Sequence, residues 1–293
     1  MTGFNSKTIF IGVVFAMLWA SASAVGKYAI QSVEPLVLFS IRFLIAGVLM
    51  IGYARIVKSE MMPSGKDWKP LIIFGLFNTT LYLGIFIVSL QFITAGITAL
   101  TIALNPVMIS ILSSFSLKRK VTAAEWMSIA IGTFGVGLAT YPLLVSNVIS
   151  WIGVVLLLLC MVAYSYGSVY YSSVQWNLSR LSINGWQVFL GGLMLLPFTL
   201  YFYQGTSQFD FKFWLFEFWL VIPVSVISVQ LWLYLIQADT VRASMWLFLC
   251  PIFGLIYSAF LLHEPFSVMT AAGAVLVLAS LYIGQRSGNP QRK

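Results

Sequence analysis

Charge is scarce in this chain. Asp, Glu, Lys and Arg make up 8% of its 293 residues, where an ordinary soluble domain carries roughly a quarter, so a soluble globular protein is excluded. Histidine occurs once, as His263, which removes most metal and haem chemistry. The two cysteines, Cys160 and Cys250, both lie inside apolar runs and can build neither a disulfide framework nor a zinc site of several ligands. No carboxylate is expected near the centre of a membrane span: Glu34, Asp239 and Glu264 all fall at span ends. An enzyme is not expected either. A serine protease would need a Ser–His pair, and an aspartyl protease two buried Asp, whereas Asp210 and Asp239 are peripheral.

What fills the chain is apolar, 60% of residues, with mean hydropathy +0.95. About 20 apolar residues cross a hydrocarbon core about 30 Å thick. Cutting the chain where charges, Pro or Gly interrupt such runs predicts ten spans: 8–26, 35–53, 70–91, 93–115, 121–140, 149–170, 182–203, 213–236, 240–262 and 266–284. An even number puts both termini on one side. With the termini in the cytoplasm, thirteen of the sixteen Lys and Arg lie inside, Lys27 and Lys212 lie outside, and Arg42 lies within a span. That bias sets the orientation, so the net charge of +8 is a topology signal and not a nucleic-acid surface. Lys7, the apolar run after it and the small residues 20–24 imitate a signal peptide, but the segment has a mid-chain counterpart, which argues for a retained span.

The counterpart is a repeat. Phe10-Ile11-Gly12-Val13-Val14 matches Trp151-Ile152-Gly153-Val154-Val155 at four of five positions. At an offset of 145, Arg42 through Gly47 overlies Gln187 through Gly192, and Asn105-Pro106 overlies Cys250-Pro251. Two five-span halves follow, 1–141 and 149–285, with a cytoplasmic tail 286–293. Because five is odd, the second half enters the membrane from the opposite side. Such inverted repeats mark secondary transporters with a midplane site.

The run Ala95 through Pro106 with Leu117-Lys118-Arg119-Lys120, its partner Arg242-Ala243-Ser244 through Pro251 to Leu262-His263-Glu264-Pro265, and Arg42-Phe43-Leu44 resemble the EamA domains of the drug/metabolite transporter superfamily. Where such domains often carry a Gly-Glu pair, only the second half keeps the acid, as Glu264. The resemblance implies movement of small metabolites or drugs across a bacterial inner membrane, often amino-acid or nucleoside-like compounds and often outward. The leading expectation is an exporter of amino acids or similar zwitterionic or neutral compounds, working by alternating access. A lipid or lipid-linked sugar flippase and a drug efflux pump are the alternatives. A small-molecule solute and membrane lipids are its expected partners, with no nucleic acid, cofactor or metal, and a monomer as the working unit.

Polar side chains in hydrocarbon are costly and should face protein or a water-filled path. Thr94, Thr98, Thr101 and Asn105 recur at steps of four, three and four and share one stripe of span four. Trp19 with Ser23, and Asn78 with Tyr82, stand one turn apart; Tyr164 takes the repeat position of Ser23. Trp232 and Trp246, away from the interfaces, could stack on an aromatic or cationic solute. These residues, Thr94 aside, form the candidate transport cavity, the plainer role of each being a helix–helix tie or core packing. Pro106 and Pro251, at matching positions, are hinge candidates, whereas Pro197 and Pro223 read as kinks. Gly12, Ala16, Ala20 and Ala24 form a small-residue ridge for close helix approach. Arg42 reads as a charge anchor to Glu34, Glu264 or headgroups, its alternative role being a counter-ion for a solute carboxylate.

Without a central carboxylate, transport is expected to be facilitated diffusion or exchange, or to couple through a peripheral acid. Flux in proteoliposomes with and without a pH gradient checks this: strong gradient-driven accumulation that survives removal of Glu264 and Asp239 overturns it.

Overall fold

A computed structural model describes residues 6–92, 98, 101–145, 150–262 and 267–286. Among these residues all regular structure is helical. The helices are α1 (Ser6–Ala29), α2 (Pro35–Ile56), α3 (Gly65–Ser89), α4 (Asn105–Ser116), α5 (Ala123–Val145), α6 (Trp151–Ser173), α7 (Arg180–Phe202), α8 (Phe211–Ala238), α9 and α10 (Val268–Arg286). Helix α9 comprises Thr240–Met245, a tight 3-10 turn at Trp246–Phe248 and Leu249–Leu262. Eight stretches, α1 to α3, α6 to α8, Thr240–Tyr257 of α9 and α10, are long and apolar enough to cross a membrane. The chain is a multi-pass membrane protein. Glu264, His263 and the tail from 287 lie outside the described residues.

In lipid every backbone group must be satisfied internally, which is why these apolar runs become helices. Several of their starts fall where the chain offers a small polar cap. Ser150 accepts from the Gly153 amide, Ser179 from Ser182, Asp210 from Phe213 and Asp239 from Arg242. Ser64 and Asp67 form a capping box at α3.

Four interruptions break this regularity, in two matched pairs. A wide π turn occupies Leu76–Leu81 of α3 and another, holding Pro223, occupies Leu220–Ser228 of α8. Offset by the same 145 residues, the chain turns at 103–104 just before α4, and α9 tightens at Trp246–Phe248 just before Pro251. Pro106 thus sits in the first turn of α4, where its missing amide costs no hydrogen bond.

Packing follows the same correspondence. The most extensive contacts join α2 to α7 and α5 to α10; α1 packs on α8 and α9, and α6 on α3 and α4. The α2–α7 crossing is reciprocal: a Cβ on Gly47 would fall 2.6 Å from the Phe189 Cβ, and one on Gly192 2.9 Å from the Phe43 Cβ. On α5 and α10, Ser128 and Ser280 each donate a hydroxyl to the other's carbonyl, at 2.7 and 2.8 Å. Gly135 and Gly273 face each other without room for a side chain. Beside these close contacts, the outer surface carries exposed apolar side chains such as Phe10, Phe115, Phe134, Leu200 and Val275.

Replacing Gly47 with Ala should therefore overpack the α2–α7 crossing, at about 1–3 kcal/mol, and lower the melting temperature in detergent. Gly52→Ala on the same helix, where nothing lies within 4 Å, should leave it unchanged or slightly raised.

Candidate functional site

One end of the bundle is tied by its loops. The Glu34 carboxylate, at the start of α2, accepts the Gln204 and Thr206 amides at 3.0 Å each, and the Gln208 amide donates to the Ser32 carbonyl. These bonds place the α1–α2 and α7–α8 connections together. At the other end the Glu60 carboxylate accepts the Ser179 and Ser182 hydroxyls, tying the α2–α3 connection to the start of α7.

From the Glu34 end a cavity of about 280 Å³ enters the bundle. At about 30 Å³ per water in the liquid, it suits a solute of roughly nine heavy atoms. Trp19, Ser23 and Lys27 line it from successive turns of α1; Phe39 and Arg42 come from α2, Tyr82 and Phe86 from α3, Thr98 and Ile102 from the start of the fourth predicted span, and Cys250, Pro251 and Tyr257 from α9. The wall is aromatic and aliphatic, with the hydroxyls of Ser23, Thr98, Tyr82 and Tyr257 and two cations, Lys27 and Arg42.

Of the residues expected from sequence, Trp19, Ser23, Tyr82, Thr98, Pro251 and Arg42 stand on this wall. Tyr164 and Trp232 lie behind it in an aromatic stack that forms the floor. Trp19 meets Tyr82 at 6.3 Å and Tyr164 at 6.2 Å, Tyr82 meets Tyr164 at 4.6 Å, and Trp232 stacks on Tyr164 at 5.6 Å and Phe15 at 5.0 Å. The Tyr164 hydroxyl and the Trp232 indole N–H are buried without a partner.

The others are joints between helices. Asn78 donates to Gln187 Oε1 at 3.4 Å and lies against Gly167. Asn105 accepts the Ser165 hydroxyl at 3.0 Å and donates to the Met161 sulfur at 3.0 Å, fastening α4 to α6. A similar amide-to-sulfur contact joins Asn184 to Met50 at 3.1 Å. Trp246 fills the space that Gly12 leaves on α1, so the start of the small-residue ridge is packed, while Ala20 and Ala24 border the cavity. Thr101 and Pro106 are buried. Thr94 and Glu264 lie outside the described residues.

Of the anchors expected for Arg42, Glu264 lies outside the described residues. Glu34 is engaged with loop amides, and Arg42 Nε instead donates to Ser225 Oγ at 2.8 Å, inside the π turn of α8. Its guanidinium lies over the Phe39 ring at 4.8 Å and the Phe43 ring at 5.5 Å. From Ser225 a buried polar chain continues: Asn184 donates to the Ser225 carbonyl, Gln187 to Asn184, and Thr79, in the π turn of α3, to Gln187 at 2.7 Å. Arg42 thus engages the π turn of α8, and Gln187, 145 residues further on, the π turn of α3.

No carboxylate is expected near a span centre, and the one acid inside α8 lies toward its start. Glu217 stands two turns into α8, is 1% exposed, and neither of its oxygens accepts a hydrogen bond. Hydropathy passes over one acid set among Phe213, Trp214, Phe216, Phe218 and Trp219. Its position seven residues after the Asp210 cap is the signal that could have found it.

Beyond the aromatic floor, the end opposite Glu34 is closed by ion pairs. Arg119, after α4, meets Glu125 of α5 at 2.7 Å and Asp239 before α9 at 2.8 Å, and Arg242 approaches Glu125 at 3.8 Å. Burial opposes the charge on Arg119, but its bonds to Glu125 and Asp239 prevail and raise its pKa.

A model of the EamA-like transporter family matches residues 6–141 and again 151–283. An uncharacterized transporter of Synechocystis sp. is 25% identical over 283 residues, covering 91% of this chain and 86% of its own. A Salmonella typhimurium protein named "Probable amino-acid metabolite efflux pump" is 23% identical over 293 residues, covering 95% of each. One solved crystal structure is similar with a TM-score of 0.78 at 18% identity, over 95% of this chain and 96% of that one, a likeness of fold.

The ion-pair closure generates its own test. Breaking a buried pair costs about 3–5 kcal/mol, enough to shift a two-state balance. Glu125→Gln should populate a form opened at this end, read as a longer distance between spin labels on the exposed positions Lys120 and Ala238. An unchanged distance distribution refutes the closing role.

Proposed function

The chain belongs to the EamA-like transporter family, and on that premise we propose that it exports amino acids or similar small zwitterionic or neutral compounds across a bacterial inner membrane by alternating access. One observation carries this reading. A cavity of amino-acid size, walled by aromatic rings, hydroxyls and Arg42, enters from one end of the bundle, while a ring stack and a buried ion-pair cluster close the other.

We read the chain as ten spans in two inverted five-helix repeats, 1–141 and 149–285, with both termini cytoplasmic. The matched pairs of π turns and helix breaks, the reciprocal α2–α7 and α5–α10 contacts and the two family matches support the repeat. The thirteen-to-two distribution of basic residues supports the orientation. The Arg119 cluster then faces the cytoplasm and the cavity opens outward, the form that releases an exported solute.

In this reading Trp19, Ser23, Tyr82 and Thr98 contact the solute. Tyr164, Trp232 and Trp246 pack beneath it, and Asn78, Thr101 and Asn105 lie on the joints that must shift. The breaks before Pro106 and Pro251 let the upper parts of the fourth and ninth spans move apart from the lower. The amino-acid assignment draws on the name of the Salmonella relative together with the size and lining of the cavity.

Cells with and without the protein, grown on a panel of toxic amino-acid analogues, test the assignment. Resistance to at least one analogue is expected, and Trp19→Ala should weaken it through about a tenfold loss of affinity, the worth of a good ring contact. No change in resistance to any analogue overturns the solute class.

A further inference from the structure

The described residues that line the cavity include two cations, Lys27 and Arg42, and no Asp or Glu. Lys27 stands in the last turn of α1, toward the mouth, and Arg42 lies deeper, two turns into α2. The Arg42 guanidinium keeps its proton under all ordinary conditions. Its Nε donates to Ser225 Oγ at 2.8 Å and its carbon lies 4.8 Å from the centre of the Phe39 ring, yet Nη2 has no hydrogen-bond partner although the residue is 1% exposed. No hydrogen bond or ion pair among the described residues joins it to an acid. A buried charge with an unmet donor is costly. The groups that hold it belong to the wall too: Phe39 lines the cavity, and Ser225 follows the lining residue Val224. The guanidinium is therefore fixed at the cavity's edge with donor capacity left over.

We propose that the cavity selects its solute by a carboxylate, which docks on Arg42, and that an α-amino group adds nothing to binding. The solute class is then the anions of small carboxylic acids with an apolar or ring-bearing body. This narrows the transport reading, and it rests on the cavity being the solute site. A guanidinium presents its N–H groups in a rigid planar fork that matches a carboxylate, so one group answers both the charge and the spare donor. The apolar body then lies against Trp19, Tyr82 and Phe86, whose rings stand on the same wall. An ammonium meets the reverse conditions. The described wall offers it hydroxyls and ring faces but no carboxylate, and it must sit within one solute's length of Arg42, where like charges repel strongly in a low-dielectric layer. An amino acid is accepted for its carboxylate and despite its ammonium, and an organic cation is refused. The step is one anion meeting one cation, with no bond or proton changed.

The test measures binding by calorimetry to purified full-length protein in detergent. Its probes are the twenty common amino acids and, for each apolar one, the carboxamide and the deamino acid, in which hydrogen replaces the amino group. At least one deamino acid should bind as tightly as its parent or more so. The matching carboxamide should bind about ten- to hundredfold more weakly than the parent, the worth of a hydrogen bond to a charged group. Arg42→Gln should bring acid and carboxamide to equal affinity, and Arg42→Lys, which keeps the charge without the fork, should restore part of the difference. A merely structural Arg42 would weaken both ligands together and leave their ratio unchanged, which refutes the docking role. If Arg42→Gln does not fold, the wild-type series and Arg42→Lys decide. An amino acid that binds while its deamino acid does not, a carboxamide as tight as its acid, or binding confined to polar amino acids overturns this inference and leaves the transport reading standing. Binding by a deamino acid and by none of the twenty supports this inference and overturns the amino-acid assignment. No binding by any probe overturns both.

Discussion

Lipid withholds from this chain the force that folds soluble proteins, because burying an apolar helix face against another gains little when hydrocarbon is the solvent. What remains is close contact, and the architecture depends on where two backbones can approach. Gly47 against Phe189 and Gly192 against Phe43 let α2 and α7 meet along their length. Gly135 and Gly273, with the Ser128–Ser280 exchange, do the same for α5 and α10. The site draws on one member of the first pair, α2, through Phe39 and Arg42, and otherwise on α1, α3, α6, α8 and α9.

The loops divide the molecule into parts that stay and parts that part. Glu34 and Glu60 tie the connections around α2 and α7 at opposite ends through hydrogen bonds that a change of access need not disturb. The Arg119–Glu125–Asp239 cluster instead joins the end of α4 and the start of α5 to the start of α9, which tightens at Trp246–Phe248. A fixed pair with breakable ties at one end of the bundle is a workable geometry for opening one end while closing the other.

Much of this was legible before any coordinates. Hydropathy located the apolar helices, since the cost of an unsatisfied peptide group in lipid leaves few choices of structure. Trp19, Ser23, Tyr82 and Thr98 were reachable because polar and aromatic residues are rare at those depths. The π turns were not legible: nothing in Leu76 through Leu81 distinguishes a wide turn from an ordinary one, as the difference lies in which carbonyl each amide meets. Asn78 and Asn105 looked like wall residues and are ties, because composition cannot say whether an amide faces a void or another helix. Glu217 was hidden by its aromatic neighbours, and the partner of Arg42 by the 183 residues that separate it from Ser225.

Two of the buried ties end on sulfur: Asn184 on Met50 and Asn105 on Met161, joining α2 to α7 and α4 to α6. A thioether is a weak acceptor on a flexible, polarizable stem, so the donor can slide by tenths of an ångström without losing its partner. These joints behave as lubricated bearings more than as bolts. The same softness makes them chemically fragile, since oxidation to the sulfoxide turns a yielding contact into a polar, chiral one. A carrier built this way would stiffen under oxidative stress at its joints while its solute cavity stayed intact.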